Sequence, residues 1–249
     1  MTNFETLEGF KKKPGLCAAL DQEDLTSNLR LAEKITNEID FLKINDDAVD
    51  DAGLEQLVKP FLKFGKPLFV DMKLFKGART MWERAEKAAE LGVTLINAFA
   101  LADRLLRPVV QRLARTDTRL LAVTVLTHMD EAYCQKYFRR SLPEAVGLFA
   151  DTAWTVDAYG VVLPGTALNV VKDSSLFKAT PGIRSPWAPQ SNDQESVVTP
   201  AEAVSGGSNL IICGGPIANY PEAEGGPLTA VRRIKEEMEE ALDARNTIR

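Results

Sequence analysis

The sequence predicts one (β/α)8 TIM barrel domain over residues 1–249, with residues 1–14 as a short N-terminal extension. Three observations carry that expectation. Eight short apolar runs alternate with longer helical stretches. Most runs are apolar at every position, as strands covered on both faces by helices must be. Charged residues collect just after the runs, at the end where a parallel barrel places its chemistry. A chain of 249 residues that is 45% hydrophobic can bury one large core.

The elements follow in order. Leu16–Leu20 is the first strand candidate, and Asp24–Glu38 then places Leu25, Leu29, Ala32 and Ile35 on one helical face. Phe41–Ile44 and Pro67–Val70 are the second and third strands. Thr80–Leu91 repeats the helical spacing with Met81, Ala85, Ala88 and Leu91. Thr94–Ala98 precedes a helix over Arg104–Ala114, and Leu120–Leu126 precedes one over Ser141–Thr155. Gly160–Leu163 and Phe177–Thr180 are strands six and seven. Thr199-Pro200-Ala201-Glu202 is a helix start, with Pro at the first position and Glu three residues after Thr. Asn209–Cys213 is the eighth strand, and Pro227–Leu242 reads as a charged amphipathic helix. The alternative is a doubly wound open sheet, but no GxGxxG follows the first strand.

Bulk properties narrow the function classes. A net charge of -5 argues against bulk nucleic-acid binding. No apolar run approaches the roughly 20 residues that span a bilayer, and Met1-Thr2-Asn3-Phe4 lacks the basic-then-apolar pattern of a signal peptide. Cys17, Cys134 and Cys213 are widely spaced and show neither a disulfide framework nor zinc-ligand spacing, which suits a reducing compartment. The expectation is a cytoplasmic protein without a metal. Lys11-Lys12-Lys13 reads as a solvated basic run.

The most informative stretch is Pro67-Leu68-Phe69-Val70-Asp71-Met72-Lys73. Alternate strand residues share a face, so Asp71 and Lys73 are expected to project together. A carboxylate and an ammonium at the mouth of a buried strand are costly unless paired. The other strand ends add Asp21, Lys43, Asn97, then Thr127, His128 and Asp130, then Thr180-Pro181-Gly182-Ile183-Arg184, then Gly214-Gly215-Pro216. Two carboxylates and two lysines thus converge from the first three strands, a cluster suited to holding one lysine as a proton donor. The glycine pair after strand eight sits where barrels bind phosphate through backbone N–H groups. Arg184–Gln194, polar and Pro-rich after the seventh strand, is expected to form a mobile lid. Trp187 within it would either cover a ring or pack the closed loop. His128, the one histidine, is either a structural residue or a base contact.

These ordered strand ends resemble the orotidine 5'-monophosphate decarboxylase family, and more broadly the superfamily with 3-keto-L-gulonate 6-phosphate decarboxylase and hexulose phosphate synthase. The resemblance runs from about Cys17 to Ile217. It is carried by Cys17-Ala18-Ala19-Leu20-Asp21, Ile39-Asp40-Phe41-Leu42-Lys43-Ile44, Val70-Asp71-Met72-Lys73, Ala122-Val123-Thr124-Val125-Leu126-Thr127, and Thr180-Pro181-Gly182-Ile183-Arg184 with Asp193-Gln194 and Val198-Thr199-Pro200. It implies that Asp21 and Lys43 contact a ribose, that Lys43 links to Asp71, and that Lys73 protonates the carbon left by departing CO₂. It further implies catalysis without a cofactor, a nucleotide-like small-molecule substrate, phosphate contacts from Gln194, and a homodimer with sites at the interface.

Four positions depart from the family pattern. Lys76 stands where the motif DxKxxD has an acid that reaches the partner's site, while Thr80 keeps the family spacing. Gly215 stands where a phosphate-binding arginine follows the first glycine, and Arg184 is a candidate substitute donor. Ala98-Phe99-Ala100-Leu101-Ala102 replaces a segment with His and a Gly pair, and Ser196 replaces a common arginine. The expected catalytic set is therefore Lys73, Asp71, Lys43 and Lys76. The expected substrate-binding set is Asp21, Thr80, Thr127, His128, Asp130, Pro181, Arg184, Gln194, Gly214 and Gly215. Three readings stay open: a decarboxylase of this type, a divergent relative acting on another nucleotide-like or sugar-acid substrate, and a non-catalytic binding protein.

Overall fold

The computed structural model describes residues 3–46, 53–189 and 196–247. Its strands are β1 (Gly15–Leu20), β2 (Phe41–Asn45), β3 (Leu68–Leu74), β4 (Leu95–Phe99), β5 (Arg119–Val123), β6 (Gly160–Val162), β7 (Phe177–Thr180) and β8 (Leu210–Cys213). All pair in parallel, each with its sequence neighbour, and β8 returns to β1. The sheet is a closed barrel, which rules out the open doubly wound alternative. Two strand limits differ from the sequence expectation by more than one residue: β3 continues through Leu74, and β5 stops at Val123.

The main helices are α1 (Asn3–Lys12), α2 (Leu25–Ile35), α3 (Leu54–Leu62), α4 (Ala78–Glu90), α5 (Arg107–Leu113), α6 (Glu131–Phe138), α7 (Leu142–Thr155), α8 (Pro200–Ser205), α9 (Gly215–Ala218) and α10 (Gly226–Thr247). Their starts are chemically marked. Asp24 caps α2 by accepting from the Ser27 N–H at 2.9 Å. Ser141 with Glu144 and Thr199 with Glu202 each form a complete capping box. The spacing pattern does not forecast α3 or α6. The former carries Pro60 inside it, and the latter is short with one buried residue, Cys134.

Two cores result from the alternation of each strand. Outward residues such as Leu42, Val70 and Ile96 pack against the helices. Inward residues Cys17, Phe41, Phe69, Leu95, Phe177 and Leu210 fill the barrel, joined by Leu7 of α1. The segment expected as an extension therefore adds a side chain to the barrel interior. Two residues above Phe41, Phe69 and Leu95, the inward positions become Lys43, Asp71 and Asn97. The switch from apolar to polar within one set of inward positions creates the site. Arg84 of α4 bonds Asp46 at 2.7 Å and ties that helix to the end of β2. No helix among the described residues is long and apolar enough to cross a membrane.

Candidate active site

A cavity of about 550 Å³ opens at the C-terminal ends of the strands. Its floor is a row of charges. Lys43 Nζ bonds Asn45 Oδ1 at 2.7 Å, Asp71 Oδ2 at 3.1 Å and Asp21 Oδ1 at 3.2 Å. Three partners use all three ammonium donors, so Lys43 is locked in place. Lys73 Nζ lies 2.9 Å from Asp71 Oδ1. Among the described residues that is its one hydrogen-bond partner, which leaves donors for a ligand. Side-chain exposure separates the two lysines in the same way, 7% for Lys43 against 34% for Lys73.

The field in this row favours full ionisation. Burial alone would raise the Asp71 carboxyl, but the Lys43 and Lys73 charges and the Asn97 hydrogen bond outweigh it and hold it below the ordinary carboxylate range. Burial likewise opposes the Lys43 charge, and Asp71 and Asp21 overcome that and hold the ammonium above the ordinary lysine range. The buried Cys213 thiol of β8 is pushed up to about 12 by burial and stays neutral.

Asp71 and Lys73 do face the same cavity, but pleating alone does not put them there. Lys73 has φ 44°, in the left-handed region that a lysine rarely adopts. The β3–β4 register shifts between Val70 and Leu74. A bulge therefore aims the ammonium back over the carboxylate.

The opposite wall is built from backbone. Gly182, with φ 77°, lets the chain pass so close to Ser196 that a Cβ there would lie 2.6 Å from the Ser196 carbonyl oxygen. Arg184 N donates to Val198 O at 2.9 Å, and Val198 N donates to Gly182 O at 3.1 Å. Ser196 N donates to Thr127 O at 3.2 Å, joining this loop to the end of β5. Gly214-Gly215 follows β8 beside the Asp21 end of the charge row, where a Cβ on Gly214 would lie 3.5 Å from Asp21 Oδ2. The Arg184 guanidinium sits 3.4 Å from where a Cβ on Gly215 would be. A guanidinium is thus present beside the position where the family arginine is missing, delivered from the β7 loop.

The cavity lining includes Asp21, Lys43, Asp71 and Lys73, with Thr127, His128 and Pro181 on the β5 and β7 side and Arg184, Gly214 and Gly215 beyond them. Lys76 and Thr80 are exposed, the first after β3 and the second in the first turn of α4, and neither lines it. Asp130 caps α6, accepting from the Tyr133 N–H at 2.6 Å, and does not line it either. Gln194, and most of the outer half of the expected lid, lie outside the described residues. Trp187 packs edge-on against Tyr220, under the Arg233 guanidinium, and bonds Glu237 of α10 at 2.5 Å. Of its two sequence readings, loop packing is the one observed. Asn45, which joins Lys43 to Asp21 through a 2.9 Å bond from its Nδ2, carried no sequence signal beyond its place at a strand end. Among the described residues no group of three or more His, Cys, Asp or Glu side chains is placed to hold a metal ion.

The model of the orotidine 5'-phosphate decarboxylase / HUMPS family matches residues 14–234. Orotidine 5'-phosphate decarboxylase of Nitrosomonas europaea is 31% identical over 234 residues, covering 92% of this chain and 99% of the relative. That of Sulfurimonas denitrificans is 32% identical over 231 residues, covering 90% and 99%. The crystal structure of orotidine 5'-phosphate decarboxylase from Lactobacillus acidophilus superposes with a TM-score of 0.72 at 23% identity, covering 91% of this chain and 99% of that one. With a family match across the barrel and relatives above 30% identity over nearly their full length, this chain belongs to the orotidine 5'-phosphate decarboxylase / HUMPS family.

Proposed function

We propose that the protein is a cofactor-independent carboxy-lyase acting on orotidine 5'-monophosphate, with Lys73 as proton donor. The observation that carries this is the Lys43–Asp71–Lys73 row, in which one ammonium is saturated by protein partners and the other keeps donors free toward the cavity. Asp71, held ionised, sets Lys73 and repels a carboxylate placed against it. Cleavage of the carbon–carboxylate bond releases CO₂ and leaves its electron pair on the ring carbon. The fixed ammonium stabilises that developing charge and then delivers its proton to the same carbon. Lys73 is left neutral and recovers a proton from water. Asp21, itself held by Lys43, contacts the ribose, and Arg184 with the Gly214-Gly215 backbone holds the phosphate.

A homodimer is part of the proposal. Phe75, Leu101 and Leu105 are exposed at the ends of the neighbouring strands β3 and β4. Phe75 adjoins Lys76 in sequence, and the three side chains offer the apolar surface an interface needs. Light scattering that returns a monomer removes the shared-site role proposed for Lys76.

One feature favours a second reading, a relative retuned to another nucleotide-like or sugar-acid substrate. Lys76 reverses the charge at a position where the family has an acid. At a partner's site it would favour a bound carboxylate and oppose CO₂ loss. The direct test mixes purified protein with orotidine 5'-monophosphate and follows its absorbance. Robust turnover supports the first reading and discards the second. Turnover that is absent and then appears in Lys76→Asp with Gly215→Arg supports the second. Absence in both leaves a binding protein.

A further inference from the structure

We propose that Asn97 is the positioning residue that sets Lys73 over Asp71, one side-chain amide holding the acid's oxygen and the lysine's backbone N–H together. Between Val70 and Leu74, β3 advances four residues while its neighbour β4 advances two, from Ile96 to Ala98. Such a bulge takes backbone groups out of the ladder. Lys73 N–H is one of them, and it donates to Asn97 Oδ1 at 2.7 Å. Asn97 Nδ2 in turn donates to Asp71 Oδ1 at 2.8 Å, the same oxygen that receives Lys73 Nζ.

The chemistry selects asparagine. The group opposite the bulge has to accept from an N–H and donate to a carboxylate, and a planar amide does both from one buried side chain, here 2% exposed. Only one orientation of the amide makes both contacts hydrogen bonds, since the flipped form sets oxygen against carboxylate. Aspartate would repel Asp71, and alanine would leave the Lys73 N–H without its acceptor. A non-glycine residue in the left-handed region persists where its surroundings over-determine it. Asn97 is that constraint, holding backbone and side-chain partner of Lys73 at once. With both polar atoms engaged inside the protein, it acts through Lys73 and Asp71 rather than on a ligand.

The inference rests on the proposed decarboxylase reading for its kinetic readout alone. Crystal structures of wild type and Asn97→Ala, carbon-13 NMR titration of the aspartate carboxylates, and steady-state kinetics test it together. In Asn97→Ala we expect Lys73 to leave positive φ, its ammonium to separate from Asp71, and the Asp71 midpoint to move up. We expect kcat to fall ~10–100-fold, as for a misplacement of about 1 Å, with KM within about threefold. Asn97→Asp keeps the acceptor and should keep the Lys73 conformation while raising the Asp71 midpoint further. Asn97→Ser replaces Asn97→Ala if that variant does not fold. Lys73 unmoved in the alanine or serine variant, with the Asp71 midpoint unchanged, overturns the proposal. A wild type without turnover defeats the decarboxylase reading, and the coordinates and titration still judge Asn97.

Discussion

On the wall formed by β1 to β4, Asp21, Lys43, Asp71 and Lys73 each have a charged or amide partner within 3.2 Å. On the wall formed by β7 and β8, the cavity meets glycine backbone and the Arg184 guanidinium. The first wall is a closed network in which each charge fixes the next. Removing one member leaves buried charge uncompensated. The second wall is a loop stem and a helix start, with the Arg184 guanidinium beside Gly215. Under the proposed function, chemistry that needs fixed charges belongs to the first wall, and anchoring that tolerates exchange of side chains belongs to the second. This bears on one of the four departures from the family pattern, that at Gly215. The charge row is intact, whereas a guanidinium from position 184 stands where one from 215 is missing.

The contrast breaks if the two walls respond alike to truncation. Lys43→Ala should cost about 3–5 kcal/mol of stability in urea unfolding, because Asp71 stays buried with one of its cations gone. Arg184→Ala should leave stability within about 1 kcal/mol. It should weaken binding of a phosphorylated ligand by up to ~3 kcal/mol, on the order of 100-fold in KM. An Arg184→Ala variant that binds the phosphorylated ligand as wild type does would remove the guanidinium from the anchoring wall.

Acid sharpens the same contrast. The Asp71 carboxyl is held below its ordinary value in the fold. Its stabilisation is therefore complete above the unfolded value of about 4 and is lost as pH falls through the lower folded value. Wild-type stability should decline in that window, and Asp71→Asn should flatten the decline. Arg184→Ala should leave the acid profile unchanged. Smallest of all should be the stability effect of Lys76→Asp. The residue is exposed outside the cavity, so a change within about 0.5 kcal/mol is expected by urea unfolding.

The barrel and the charge row were legible in the sequence because both rest on local regularities. Apolar runs mark strands, and an acid and two lysines at strand ends mark a site. The aim of Lys73 was not legible, since nothing in Val-Asp-Met-Lys announces a bulge or a positive φ at a lysine. Asn97 and Asn45 acquire their roles only from register, which sets Asn45 beside Asp71 and Asn97 across from the bulge. Arg184 could be named from the sequence as a candidate substitute for a side chain at 215, but its closeness to Gly215 was not legible, because 31 residues separate the two positions. Trp187 had two readings from its place in a loop, ring cover or loop packing, and only the structure shows its N–H and face both committed to α10.

The central claim is that Lys73 protonates the carbanion left by CO₂. Steady-state turnover of orotidine 5'-monophosphate by wild type and by Lys73→Ala tests it most directly, with thermal melting as the check on folding. The account predicts turnover by wild type and a loss of about 10²–10⁴-fold in kcat for a Lys73→Ala variant that still melts cooperatively. Comparable turnover by the two proteins would contradict it.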